Sequence, residues 1–355
     1  ITAETPDPVE GVIERDSNGE PTGVLFEMSA FLSHRVENGR TRNKMQQGVA
    51  AANRLLLSYG ITSLQDAGPG NGLERWQAFQ ELIDSGKIQP RVTMMAGSGR
   101  LKDLSDAGFS FGSGDANLRL GHVKIMLTMT TGALNPSLEE LRDIATGASQ
   151  AGFPVAVHCV EQEAVAAAAQ VISELAPLPP GVPPHRIEHC SECPPEVLDV
   201  VRRSGAAVVT QPGFIYWNGP SYRANVAESL QPHLYPIGAL VAAGINAAFG
   251  SDAPVINPNP WTAIHSAATR QDYKTQTFPE SNGSVRVSVQ SALRMYTLSG
   301  AEVEGTAQNK GSIAPGKLAD MILVDANPLK VGTDELKDVK AKMTMVGGQV
   351  VWEGQ

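Results

Sequence analysis

The 355 residues are enough for one αβ barrel with an appendage or for two smaller domains, and 42% hydrophobic with 18% charged residues is ordinary for a globular protein. A formal net charge of −9 without a dense Lys/Arg run argues against a nucleic-acid partner, and no apolar run reaches the roughly 20 residues of a membrane helix. Three clustered cysteines, Cys159, Cys190 and Cys193, argue against a secreted disulfide framework and for a cytoplasmic protein.

In chain order, Gly11–Asp16 and Thr22–Phe26 are predicted strands around an Asn18-Gly19 turn, a hairpin signal. Arg40–Tyr59 reads as a helix stopped by Gly60, and Ile61–Asp66 as the strand after it. Leu73–Gly86 is helical, Pro90–Ala96 a strand, and Gly97–Leu118 a loop with at most one short helix. Strand His122–Leu127 precedes a helix from Ser137 to Ala151, opened by a capping box of Ser137 and Glu140.

Strand Phe153–His158, helix Glu161–Leu175 and strand Arg186–His189 then place an imidazole at the carboxyl end of two successive strands. Helix Pro194–Ser204, strand Ala206–Gln211, a loop with Tyr216, Trp217 and Tyr222, helix Ile237–Ala243 and strand Ile245–Phe249 follow. Two further helices are expected around Trp261–Arg270 and Ser288–Ser299, and the tail carries alternating strands around Gly347-Gly348.

Strands separated by helices at this regularity predict right-handed βαβ units and an α/β fold, a TIM-like (β/α)8 barrel. About seven strands are found against the eight that close such a barrel. The expectation is a barrel lacking its first strand, which would precede Ile1. Residues 1–30 would form a hairpin connection, 31–305 the barrel and 306–355 a small β-sandwich appendage.

Four strand ends carry groups that could meet over one barrel mouth: Lys124, His158, His189 and Asp252. Two imidazoles and a carboxylate suit zinc or a similar divalent ion. Lys124 lies between Val123 and Ile125, where an ammonium is costly to bury, so its amine tends to be neutral. A neutral amine can take up carbon dioxide as a carbamate, a carboxylate-like ligand able to bridge two ions. A lone core histidine is more often structural than ligating; two at corresponding strand ends beside Gly250-Ser-Asp252-Ala-Pro254 reverse that balance. His122 is expected to fill core, and His185 to be structural at the far end of the barrel. Cys159 and Cys190 each follow a histidine, so they should point to the opposite, helix-facing side.

Val155-Ala-Val-His158, Arg186-Ile-Glu-His189-Cys190 and Phe249-Gly-Ser-Asp252-Ala-Pro254 resemble the amidohydrolase superfamily. The Gly11–Asp16 hairpin, Gly60–Asp66 and Gly311–Asp320 are similar to the branch of amidohydrolase family 3 that includes N-substituted formamide deformylases, so the resemblance covers nearly the whole chain. It implies zinc, as one or two divalent ions, on Lys124 (open to carboxylation in the family's manner), His158, His189 and Asp252, with Asp252 also the catalytic base. The departure is that the family's first strand carries a His-x-His pair, and none occurs in this sequence. The expectation is therefore an N-terminally truncated amidohydrolase. It would hydrolyse non-peptide carbon–nitrogen bonds of a small-molecule substrate. The alternatives are ester, lactone or phosphotriester hydrolysis on the same barrel, or an inactive remnant. Thr130, Thr131, Tyr216 and Trp217, on loops after strand ends, are the candidate substrate-binding residues, and a homo-oligomer is left open.

Overall fold

Seven short strands lie side by side in the order in which the chain makes them, all parallel. They belong to a computed structural model that describes residues 1–8, 11–26, 28, 31–32, 42–129, 132–280 and 285–354. Before them, β1 (Val12–Arg15) and β2 (Pro21–Phe26) form the expected antiparallel hairpin, and Gly19 supplies the left-handed turn residue at φ 83°. The parallel strands are β3 (Ser63–Asp66), β4 (Arg91–Gly97), β5 (Leu118–Met126), β6 (Val155–Cys159), β7 (Arg186–His189), β8 (Ala207–Thr210) and β9 (Ala247–Phe249).

Helix α1 (Arg42–Ser58) leads into β3, and α2 (Leu73–Asp84), α3 (Leu101–Asp106), α4 (Leu138–Gln150), α5 (Gln162–Glu174) and α6 (Pro195–Ser204) each cross between one strand and the next. Two helices, α7 (Gly213–Asn225) and α8 (Ile237–Ala242), join β8 to β9, and α9 (Pro260–Thr269), α10 (Val289–Tyr296) and α11 (Leu298–Glu304) follow. Sequential parallel pairing with helical crossovers is the architecture of a TIM-like barrel. The crossover helices form for local reasons: Ser137 Oγ accepts from the Glu140 N–H at 3.3 Å while the Glu140 carboxylate accepts from the Ser137 N–H at 2.9 Å, the predicted capping box.

The strand faces sort by alternation. Val123, Ile125, Val155, Val157, Cys159, Ile187, Cys190 and Val208 enter the main core with the helices, as do Val165, Ala168, Val197 and Val201 from α5 and α6. Each such side chain, fully buried, stabilises by about 1–3 kcal/mol. Ala207, Val209, Ala248 and Val303 form a separate buried cluster. The three thiols are free and buried, on the helix-facing side as expected.

The tail is a three-stranded antiparallel sheet of β10 (Met321–Val324), β11 (Ala341–Val346) and β12 (Gln349–Glu353). It is tied to the barrel by Arg91, whose guanidinium grips Asp320 through two bonds of 2.6 and 2.9 Å, and by the Thr344 hydroxyl on the Leu57 carbonyl at 2.7 Å.

Three expectations are corrected. The stretch with Tyr216, Trp217 and Tyr222 is helical, despite Pro220 inside it. The Tyr216 carbonyl that proline cannot serve accepts the Tyr273 N–H at 2.9 Å instead, which offsets the lost helix hydrogen bond. The helix expected over Ser288–Ser299 breaks at Thr297 (φ −115°, ψ −89°) and resumes as α11. Strand β5 starts at Leu118, ahead of His122, because a register shift against β4 between Met94 and Ala96 lets it run on through Gly121.

Candidate active site

The predicted residues stand at the carboxyl ends of β5, β6, β7 and β9. His158, on β6, is the register partner of Glu188 on β7, and the His158 and His189 rings meet edge to face with centroids 4.5 Å apart. Strict alternation would send Glu188 and His189 to opposite faces. The backbone prevents it: His189 and Cys190 are left-handed, at φ 72° and 50°, so Ile187 and Cys190 both join the helix-side core while His189 turns to meet His158. Asp252, just beyond β9, is left-handed too, at φ 56°. Non-glycine residues in this region each cost on the order of 1–3 kcal/mol, and such strain concentrates at functional sites.

Burial governs the charge states. It drives the His158 imidazole down to about 2, assisted by the positive ends of His189 and Lys124. His189 is lowered by burial and Lys124, against the pull of Asp252 and Glu188, so both rings are neutral near pH 7. Lys124 is 4% exposed. Burial lowers its amine, Glu188 and Asp252 pull it up, and Arg186 pushes it down. Partial desolvation raises the Asp252 carboxyl from its ordinary value, although the residue is exposed at the rim, and His189 and Lys124 oppose the rise.

Two residues join this site that sequence reasoning missed. Glu188 is ion-paired to Arg186 at 2.6 Å. Burial alone would raise its carboxyl, but Arg186, Lys124 and His189 outweigh that and hold it below the usual range. Gln211, past the end of β8, has its amide oxygen 2.8 Å from His189 Nδ1. The signal for Glu188 was its position, two residues after an arginine within one buried strand; nothing in the sequence marked Gln211.

Of the proposed substrate-binding residues Tyr216 and Trp217 are described, and their rings meet edge to face with centroids 5.0 Å apart. Thr130 and Thr131 lie outside the described residues. Tyr216 is buried in α7, edge-on to His265 of α9, and Trp217 stacks on Tyr273. The aromatic group that reaches the segment beside His189 is Tyr235, whose N–H donates to the Ser191 carbonyl at 2.8 Å and whose hydroxyl lies 3.3 Å from that of Tyr222. His185 is structural as expected, its Nδ1 accepting the Val155 N–H at 3.1 Å. His122 is buried, with Nε2 donating to the Pro184 carbonyl at 3.3 Å. A cleft of about 390 Å3 lined by Tyr59, Trp261, Lys337 and Trp352 belongs to the seam between barrel and tail sheet, away from this rim.

In kind, the donors fit a divalent cation: two neutral imidazoles in contact, a carboxylate and a buried amine. Among the described residues no three of His, Cys, Asp and Glu are grouped closely enough to hold a metal by themselves.

The sequence profile of the amidohydrolase family matches residues 1–352. The chain belongs to that family. It is 26% identical over 372 residues to the Bacillus subtilis (strain 168) protein YtcJ, covering 99% of this chain and 70% of that one. It is 25% identical over 381 residues to N-substituted formamide deformylase of Arthrobacter pascens, covering 99% and 69%. A solved metal-dependent hydrolase of uncharacterized role from Pyrococcus horikoshii OT3 superposes with a TM-score of 0.71 at 22% identity, over 94% of this chain and 69% of that one. Amidohydrolase superfamily members are metal-dependent hydrolases, and the resemblance drawn from the strand-end motifs is thereby established at the level of family and fold. No helix among the described residues is long and apolar enough to cross a membrane.

Proposed function

We propose that this amidohydrolase is a metal-dependent hydrolase of non-peptide carbon–nitrogen bonds, of amide or formamide type. The observation that carries the reading is the pair of desolvated, neutral imidazoles in contact at the ends of β6 and β7, with the Asp252 carboxylate drawing one of them toward its charged form. His158 and His189 would hold the ion with Asp252 and Lys124; the amine of Lys124, lowered by burial, would in its neutral form add carbon dioxide to give a carbamate and release one proton. When bound, a divalent ion such as zinc supplies Lewis acidity and brings the pKa of a coordinated water from 15.7 to about 7.

The chain's own groups do the rest. Asp252, with its carboxyl raised by burial, is suited to accept a proton from the attacking water and return it to the leaving nitrogen. The left-handed backbone at His189 and Asp252 aims both side chains before substrate arrives, so little reorganisation is left to the reaction itself. The carbon–nitrogen preference draws support from the likeness to N-substituted formamide deformylase.

One observation favours a second reading, a non-catalytic barrel: no three metal-ligating carboxylates, imidazoles or thiols are grouped among the described residues. A panel of N-substituted formamides, amides, lactones and phosphotriesters, assayed with supplied zinc and with His158→Ala as control, separates the readings. Turnover confined to the amides and formamides and abolished by His158→Ala supports the proposal. Turnover confined to lactones or phosphotriesters, or none at all, overturns it.

A further inference from the structure

We propose that Gln211 is a positioning residue that locks the neutral His189 ring as the Nδ1–H tautomer, leaving Nε2 bare. The inference rests on the reading that His189 serves the site through Nε2. It follows from hydrogen-bond bookkeeping at two buried side chains.

Gln211 is 3% exposed, and its amide nitrogen lies 3.2 Å from the Val209 carbonyl. That carbonyl can only accept, so the amide must turn its NH2 group to Val209 and its oxygen to His189. The flipped amide would set two acceptor oxygens against each other and lose the bond to Val209. An amide oxygen also only accepts, so the 2.8 Å contact requires a hydrogen on His189 Nδ1. A neutral imidazole carries one hydrogen. Nε2 therefore keeps its lone pair, the form in which an imidazole binds a metal or takes up a proton.

The location gives this bond its importance. The ladder between β7 and β8 ends at Glu188 and Val209, so His189 and Gln211 both lie past the last paired residues. His189 is also in a left-handed conformation that its strand does not dictate. The side-chain bond joins the two strands one residue past the last pair on β7 and two residues past it on β8, and fixes the direction of the ring.

The test is imidazole nitrogen NMR on the full chain labelled with 15N-histidine, with the His189 signals assigned by their loss in His189→Gln. At neutral pH the wild type should show His189 protonated at Nδ1 and not at Nε2. Gln211→Leu should move His189 to a tautomer mixture or to Nε2–H, and Gln211→Glu, which keeps an acceptor, should retain Nδ1–H. Zinc affinity, measured by competition with a chromophoric chelator, should fall about 10- to 100-fold in Gln211→Leu and be largely restored in Gln211→Glu. A wild-type His189 carrying its hydrogen on Nε2 overturns the proposal without any variant, and so does a Gln211→Leu protein with an unchanged tautomer. A wild type with the expected tautomer that binds no zinc leaves Gln211 in its role and overturns the metal reading instead.

Discussion

The ion pair beneath the imidazoles makes the sharpest energetic prediction. Arg186 is 1% exposed; its Nε donates to Glu188 at 2.6 Å, its Nη2 lies 3.7 Å from Met95 Sδ, and its Nη1 has no hydrogen-bond partner among the described residues. Glu188→Leu removes the carboxylate ion-paired to this guanidinium while keeping most of the volume. Stranding a buried charge in this way costs about 3–5 kcal/mol, a large part of the roughly 5–15 kcal/mol that holds a typical domain folded. Arg186→Met added to Glu188→Leu removes the stranded charge, and replacing a whole buried pair by apolar groups is often close to neutral. Urea unfolding followed by circular dichroism should therefore find the double variant more stable than Glu188→Leu alone, a strongly non-additive result. A single variant that loses under about 1 kcal/mol, or a double variant as unstable as the sum of its singles, would refute the reasoning.

Lys124→Met exchanges a buried amine, lowered by desolvation, for an apolar side chain; it should raise stability by about 1–3 kcal/mol in the same assay while abolishing any hydrolysis, and a destabilised protein contradicts this. Asp320→Ala leaves Arg91 without its carboxylate and the Gly347 N–H without its acceptor, so urea unfolding should show a loss of about 3–5 kcal/mol; a loss under about 1 kcal/mol would sink the claim that this pair fastens the tail sheet. Acid should weaken the fold through His185, which burial lowers from 6.5 to about 4. The unfolded chain takes up the proton first, so the stability this ring contributes is complete above about pH 6.5 and is lost as the pH falls toward 4. Comparing the wild type with His185→Gln at pH 7 and pH 5 should give a differential loss of up to about 2 kcal/mol, and identical pH profiles would count against it.

Much of the barrel was legible because its signals are local. Alternation of Val and Ile around Lys124 and His158 marks strands, Ser137 with Glu140 marks a helix start, and Gly205 marks a helix stop, confirmed by its left-handed φ of 71°. What was not legible depends on contacts between distant segments. The helix through Pro220 survives because Tyr273, far along the chain, takes up the Tyr216 carbonyl. Glu188 reaches the neighbourhood of His189 because the backbone turns left-handed at a histidine and a cysteine, which no propensity predicts. Gln211 matters only through the ring it holds.

Metal content is the most direct test of the paired imidazoles. The full chain, supplied with zinc, desalted and measured by elemental analysis, should retain zinc, and the His158→Ala/His189→Ala double variant should lose it while keeping the wild-type circular dichroism spectrum. Equal zinc in the two folded proteins, or none in the wild type, would contradict it.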